Sequence, residues 1–248
     1  MSCPLLRAPR NANSAAMKIY KTRRYKIVTI LVKIAVVGVV AMLAVLILYR
    51  FVNPPYSSLM VANALAGRTL KHRWVPLEKI SPHLVSAVVT SEDAKFCRHR
   101  GVDWGELEDA LERAEKTGRG PRGASTIPMQ TIKNLFLWQS RSYIRKGIEI
   151  PLAYAASAIW PKRRMLEIYL NIAEWGPGVF GAQAAARHHF RASASRLTRR
   201  QATQMAAALP NPHVRNAGRP GPKTRALASR MEKRLERGGA PLDCIYQK

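Results

Sequence analysis

Two stretches of this 248-residue chain concentrate side chains that a folding core does not need. The first runs Ser91-Glu92-Asp93-Ala94-Lys95-Phe96-Cys97-Arg98-His99-Arg100-Gly101-Val102-Asp103. The second runs Gly123-Ala124-Ser125-Thr126-Ile127-Pro128-Met129-Gln130-Thr131-Ile132-Lys133-Asn134. Acids and a histidine, which move protons, fill the first block; hydroxyls, an amide and a lysine fill the second. Glu92 and Asp93 fall at the end of a helical run. Acids there oppose the helix dipole by a few tenths to about one kcal/mol, so function explains them better than stability does. A solvated helix end is the plainer alternative, as a packing or hydrogen-bonding role is for His99. In the second block, hydroxyls and free backbone N–H groups enter a helix from a glycine-rich loop, a place that suits an anion. Arg141, Arg145 and Lys146 add cations. Arg145 and Glu149 are spaced i,i+4 and could be an ordinary surface pair. Glu149 nevertheless stands in the apolar run Ile148-Glu149-Ile150-Pro151-Leu152, where a carboxylate is partly desolvated and is either paired or functional.

The elements that must position these groups read as helices. Ser81-Pro82 pairs an N-cap with proline at the first helical position and predicts a helix to about Phe96. Asp103 and Glu106 resemble a capping box, with Leu107, Ala110, Leu111 and Ala114 on one face. Gly118 to Gly123 predicts a loop, expected to order over a substrate. Ile144, Ile148, Leu152, Ala155 and Ile159 recur at helical spacing from Ser142 to Trp160. Pro161 opens a helix to about Asn171, Gly176-Pro177-Gly178 is a turn, and Ala182 to His189 is helical. Thr198 with Gln201 caps a further helix that Pro210-Asn211-Pro212 stops. Period-2 alternation is nearly absent, so the fold class is all-α.

Ile27 to Leu48 is a run of 22 residues whose only charge is Lys33. As a helix it spans roughly 33 Å, enough to cross a bilayer. The run is too long for a cleaved signal and no clear cleavage site follows it. Arg7, Arg10, Lys18, Lys21, Arg23, Arg24 and Lys26 precede it without an acid. The positive-inside rule then predicts a cytoplasmic tail at 1–26, a transmembrane helix at 27–48 and a periplasmic domain at 53–248. The whole chain carries 41 Lys+Arg and 15 Asp+Glu, a net +26. Nine of the basic residues and none of the acids precede residue 53, which leaves net +17 outside. Outside the membrane that field favours anionic lipids over nucleic acid. Cys3, Cys97 and Cys244 have no metal-binding spacing. Cys97 and Cys244 would share an oxidising compartment, where pairing is open to them.

The blocks together resemble the motifs of the family 51 peptidoglycan glycosyltransferases. Glu92-Asp93-x-x-Phe96-x-x-His99-x-Gly101 is similar to the first motif. Gly123-x-Ser125-Thr126-Ile127-x-x-Gln130-x-x-Lys133-Asn134 is similar to the second, and Arg145-Lys146-x-x-Glu149 to the third. Arg164-x-Leu166-Glu167-x-Tyr169-Leu170-Asn171, with Gly176 and Gly181, resembles the fourth. Leu197-Thr198 through Ala206-Ala207-Ala208-Leu209-Pro210-Asn211-Pro212 resembles the last. Their order holds over about residues 60–215, and Asn134-Leu135-Phe136-Leu137-Trp138 is nearest the monofunctional, Gram-negative type.

The resemblance implies a lysozyme-like domain that polymerises lipid II into glycan strands, with inversion at the anomeric carbon and release of undecaprenyl pyrophosphate. Carried over, Glu92 is the general base, and Glu149 is catalytic through orienting the cations or the donor. Asp93, Ser125, Gln130, Lys133, Asn134, Arg141 and Arg145 bind substrate. No tightly bound cofactor is implied, though a divalent cation, Mg²⁺ or Mn²⁺, could assist. The implied partners are lipid II, the growing chain, membrane lipids and cell-wall synthesis or division proteins. Pro128-Met129 departs from the usual polar pair and puts one substrate hydrogen bond in doubt. Lys162 and Arg199 lie outside the proposed roles and are expected to be neutral to change.

Two rivals are weaker. A lysozyme-like peptidoglycan-cleaving enzyme would also use a glutamate in an all-α domain, but would not need the basic block from Ser125 to Arg145. An anchored basic binding protein would leave the ordered acids idle. Lys116-Thr117-Gly118 resembles a transpeptidase element, but without Ser-x-x-Lys or Ser-Asp-Asn it is a chance tripeptide.

Overall fold

The computed structural model describes residues 10–118, 123–140 and 142–246. Two units, Met1–Leu48 and Tyr49–Lys248, divide the chain. The first consists of most of α1, the helix Arg10–Phe51. Its Tyr25–Phe51 part, whose most apolar 18 residues have a mean hydropathy of 3.0, is the one described helix long and apolar enough to cross a membrane. Ile30, Leu31, Val32, Ile34, Val36 and Val37 are all exposed there. An apolar helix that leaves nearly all of this surface uncovered is the reverse of a soluble core helix.

The second unit is a helical domain. Its elements are α2 (Ser58–Leu65), β1 (Lys71–His72), α3 (Pro82–Glu92), α4 (Trp104–Thr117), α5 (Ile127–Phe136), α6 (Tyr143–Ile159) and α7 (Lys162–Ile172). Then come β2 (Glu174–Gly176), β3 (Val179–Phe180), α8 (Ala182–Phe190), α9 (Arg199–Ala208), α10 (Pro222–Glu236) and α11 (Asp243–Tyr246). The sequence signals place most boundaries. Ser81 accepts from His83 N–H, Asp103 from Glu106 N–H and Thr126 from Met129 N–H. Thr198 and Gln201 form a full capping box on α9. In the core α3 packs against α9 and α10, and α5 packs against α6 and α7. Leu84, Val85, Val88, Ile127, Ile132, Leu166, Ile168 and Met205 are fully covered.

One expectation is corrected and two features are added to what the sequence showed. Helix α3 stops at Glu92 and not near Phe96, because the Asp93 side chain leaves the helix to bond elsewhere. The stripe on α6 faces outward: Ile144 is 74 % exposed, while Glu149, Ala153 and Ala156 are the buried residues. A small three-stranded sheet is present, with β3 between parallel β1 and antiparallel β2. Strands of two or three residues are too short to show alternation. The predicted Gly176-Pro177-Gly178 turn is the hairpin that joins β2 to β3.

Candidate active site

Glu92 ends α3 and faces the start of α5. Gln130 Nε2 donates to Glu92 Oε2 (3.1 Å) and Ser91 Oγ to its Oε1 (3.3 Å). The buried hydroxyl of Tyr169, on α7, donates to Gln130 Oε1 (3.2 Å) and so fixes the amide that holds Glu92. Burial raises the Glu92 pKa above the ordinary carboxylate value; the Gln130 and Ser91 bonds and the Lys133 charge pull partly against it. A carboxylate held this way is a better proton acceptor than one free in water.

Asp93 has a different place from the one expected. Its carboxylate is buried and committed inward: Ile127 N–H, at the first position of α5, donates to Oδ2 (2.9 Å), and His99 Nε2 bonds both oxygens (2.8 and 3.0 Å). Gly101 N–H donates to His99 Nδ1 (3.2 Å), so the ring is neutral on that side and carries its proton on Nε2. Asp93 therefore joins the end of α3 to the start of α5, which sets Glu92 and Gln130 opposite each other. Gly101 itself has φ +109°, and a Cβ there would lie 2.9 Å from the Ala153 carbonyl oxygen. Only glycine lets this loop come so close to α6.

The cations are supplied by α5 and α6. Glu149, 2 % exposed, pairs with Arg145 through one oxygen and with Lys146 Nζ (2.8 Å) through the other. Lys146 Nζ also donates to Ser125 Oγ (3.1 Å), which ties the second block to the third. Half-buried Lys133 lies in the fields of both Glu149 and Glu92. Its pKa is lowered by burial first, with Arg145 and Lys146 adding to the effect. Two cations paired to one acid, with Lys133 nearby, make this a place of net positive charge. Asn134 is buried under α2, its carbonyl accepting from Ser58 Oγ (3.0 Å). Arg141 lies outside the described residues, as do residues 119–122 of the predicted ordering loop.

Met129 is fully buried and Pro128 occupies the first turn of α5, where no backbone donor is needed. That departure is therefore accommodated in the core. Lys162 was expected to be neutral and is not: its Nζ donates to the carbonyls of Phe96 (2.5 Å) and His99 (2.6 Å) and lies over the Phe96 ring. Burial lowers its pKa to about 8. Tyr169 and Lys162 are the supporting residues that sequence reasoning left without a role. The signal for Lys162 was its place directly after Pro161, at the start of the helix that faces the first motif.

A cleft of about 290 Å³ opens beside Glu92, lined by Ser91, Lys95, Asp103, Ser125, Thr126 and, from α10, Arg234 among others. No group of three metal-ligating side chains occurs among the described residues. Both Glu149 oxygens are already used by cations, so these residues do not fit a divalent ion by themselves. A family model described as Transglycosylase matches residues 59–237, well over half of the chain. The chain belongs to the transglycosylase family. Among its relatives is the biosynthetic peptidoglycan transglycosylase of Rhizobium meliloti (strain 1021), 46% identical over 94% of this chain and 97% of the relative. That of Rhizobium leguminosarum bv. trifolii (strain WSM2304) is 50% identical over 84% and 93%. The Brucella suis biovar 1 (strain 1330) protein of the same name is 46% identical over 87% and 97%. The family region takes in every element from α2 to α10. Its lysozyme-like helical architecture is the one expected from the motifs.

Proposed function

We propose that Glu92 is the base of a glycan-polymerising reaction whose lipid-linked donor is held by the cations around Glu149. The protein is a peptidoglycan glycosyltransferase of cell-wall biosynthesis. One observation carries the division of roles: a carboxylate with a raised pKa at the end of α3 is held by Gln130 of α5, and one turn further along α5 Lys133 begins a cluster of positive charge with Arg145 and Lys146. The 4-hydroxyl of an incoming lipid II gives its proton to Glu92 while its oxygen bonds to the anomeric carbon of the growing chain. The bond from that carbon to the phosphate oxygen breaks on the opposite face, and undecaprenyl pyrophosphate leaves as an anion. Such a leaving group needs neutralising charge more than a strong acid. Lys133 and Arg145 supply it, Glu149 keeps the cations aligned, and Ser125 and Gln130 order the first turn of α5. Asp93 positions Glu92.

The exposed apolar part of α1 supports a single-pass anchor in the inner membrane, and the acid-free basic tail before it supports a cytoplasmic N-terminus. The deciding assay is labelled lipid II in detergent with the full chain. Polymer formed, with or without added Mg²⁺ or Mn²⁺, supports the transferase; cleavage of finished glycan without polymerisation sinks it in favour of the hydrolase.

A further inference from the structure

We propose that a groove between β1 and α8, apart from the catalytic cleft, is a second anion site for a phosphate group bearing more than one negative charge. The class is a pyrophosphate or a phosphomonoester. The groove encloses about 420 Å³ and shares no lining residue with the cleft beside Glu92. Lys71 and Arg73 line it from β1 and its flank, and Arg187 from the last turn of α8. No acid lines it. None of these three cations has an ion pair among the described residues.

Basic residues in the last turn of a helix answer its dipole, which accounts for Arg187 alone. It does not account for a strand more than a hundred positions away bringing Lys71 and Arg73 to the same concavity. Like charges collected in a hollow repel unless something neutralises them, and a hollow concentrates their field. His188 reports that field. Burial lowers the pKa of both His72 and His188, and Lys71 lowers His188 further. His72 is held in place by the Asn171 carbonyl at 3.1 Å. Three permanent cations exceed what one carboxylate can balance, whereas a pyrophosphate or phosphomonoester carries the matching charge and several acceptor oxygens. Leu70 and Ala184 give the groove an apolar side that tolerates an ester carbon. The phosphate could belong to a soluble species or to a lipid headgroup, and the experiment separates the two.

The full chain, with labelled histidine, is placed in zwitterionic nanodiscs, and the ring signals of His72 and His188 are assigned with His72→Gln and His188→Gln. Inorganic pyrophosphate is titrated in, with acetate at matched ionic strength as the control. A second set of discs contains phosphatidic acid. Saturable upward movement of both ring pKa values with pyrophosphate indicates the soluble source. Movement with phosphatidic acid alone indicates the headgroup. The combined variant Lys71→Gln, Arg73→Gln, Arg187→Gln should raise the half-saturating concentration at least about tenfold, as expected for loss of charge-assisted bonds. Exposed Arg73→Gln alone, which leaves the fold intact, should raise it severalfold. The site is refuted if neither phosphate moves the rings, if acetate moves them equally, or if the variants saturate like wild type. Lys133→Ala should titrate the groove normally, so failure here is distinct from failure of the catalytic assignment.

Discussion

Glu92 is placed in an environment that costs stability and serves chemistry. Its pKa is raised by burial, so the unfolded chain ionises this group at lower pH than the folded chain does. The stability it allows is complete below the unfolded value of about 4.5 and is lost as pH rises through the folded value. Glu92→Gln should therefore melt higher than wild type at pH 7, with the gain shrinking as pH falls through the folded value and gone by about pH 4.5, as scanning calorimetry will show. The same variant should lose about a hundredfold or more in polymerisation rate while keeping donor binding. Wild-type turnover should fall on the acid side at a pH above the usual carboxylate range. Lys133→Ala and Arg145→Ala should instead weaken donor binding together with turnover, by about 1.5–3 kcal/mol for each charged hydrogen bond. Arg145→Ala also leaves buried Glu149 with Lys146 as its remaining ion-pair partner, so its loss should be the larger. Near-normal polymerisation by Glu92→Gln would remove Glu92 as the base and make Glu149 the next residue to test.

Helix ends, more than helix faces, set this site. The end of α3, the start of α5 and the start of α7 meet through Asp93, Ile127 N–H and Lys162. Lys162→Met should leave two carbonyls of the first motif without their donor. The expected cost is about 1–3 kcal/mol, together with reduced polymerisation. Arg199→Met, on the exposed start of α9, should be silent in both assays. Because the Lys162 pKa is lowered to about 8, the unfolded chain binds more protons between there and 10.5. Wild-type stability relative to Lys162→Met should accordingly rise with pH across that window. A disulfide between Cys97 and Cys244 closes the C-terminal segment over the first-motif loop. Ala240 N–H donates to Thr90 Oγ1 (3.0 Å) on α3 and Ile245 is buried, so the segment is packed as well as tied. Cys244→Ser should lower stability by about 2–5 kcal/mol, the range for a bridge that closes a long loop. An unchanged denaturant midpoint would show that packing alone holds the segment.

At the scale of the whole chain, charge and hydropathy divide the labour. Residues before 53 contain no acid, and the net +17 of the remainder includes the cations around Glu149 and those of the β1–α8 groove. A reporter enzyme fused to the C-terminus should be active only outside the cytoplasmic membrane. Activity on the cytoplasmic side would reverse the topology and remove the acceptor and donor from reach of Glu92. The exposed stripe of α6, with Ile144 and Ile148, adds an apolar face to a domain already rich in positive charge.

The sequence alone determined the helical class, most helix starts and an apolar run long enough to cross a membrane. Those properties are local: caps act within three or four residues, and a run such as Ile27 to Leu48 needs no partner to be recognised. The motif resemblance supplied the roles of Glu92 and Glu149 in the same way. Tertiary structure decided what depends on partners distant in the chain. Asp93 reads as a surface acid until Ile127, thirty-four positions on, claims its oxygen. Lys162 reads as an ordinary helix-start cation until the carbonyls of Phe96 and His99 come within its reach. The α6 stripe has the right period for either face. Periodicity defines a helix but not the side that is covered, and Gly101 against Ala153 settles that choice. The short sheet and the Cys97–Cys244 pairing arise likewise, because strands of two residues and a bridge over 147 positions exist only once the helices have packed.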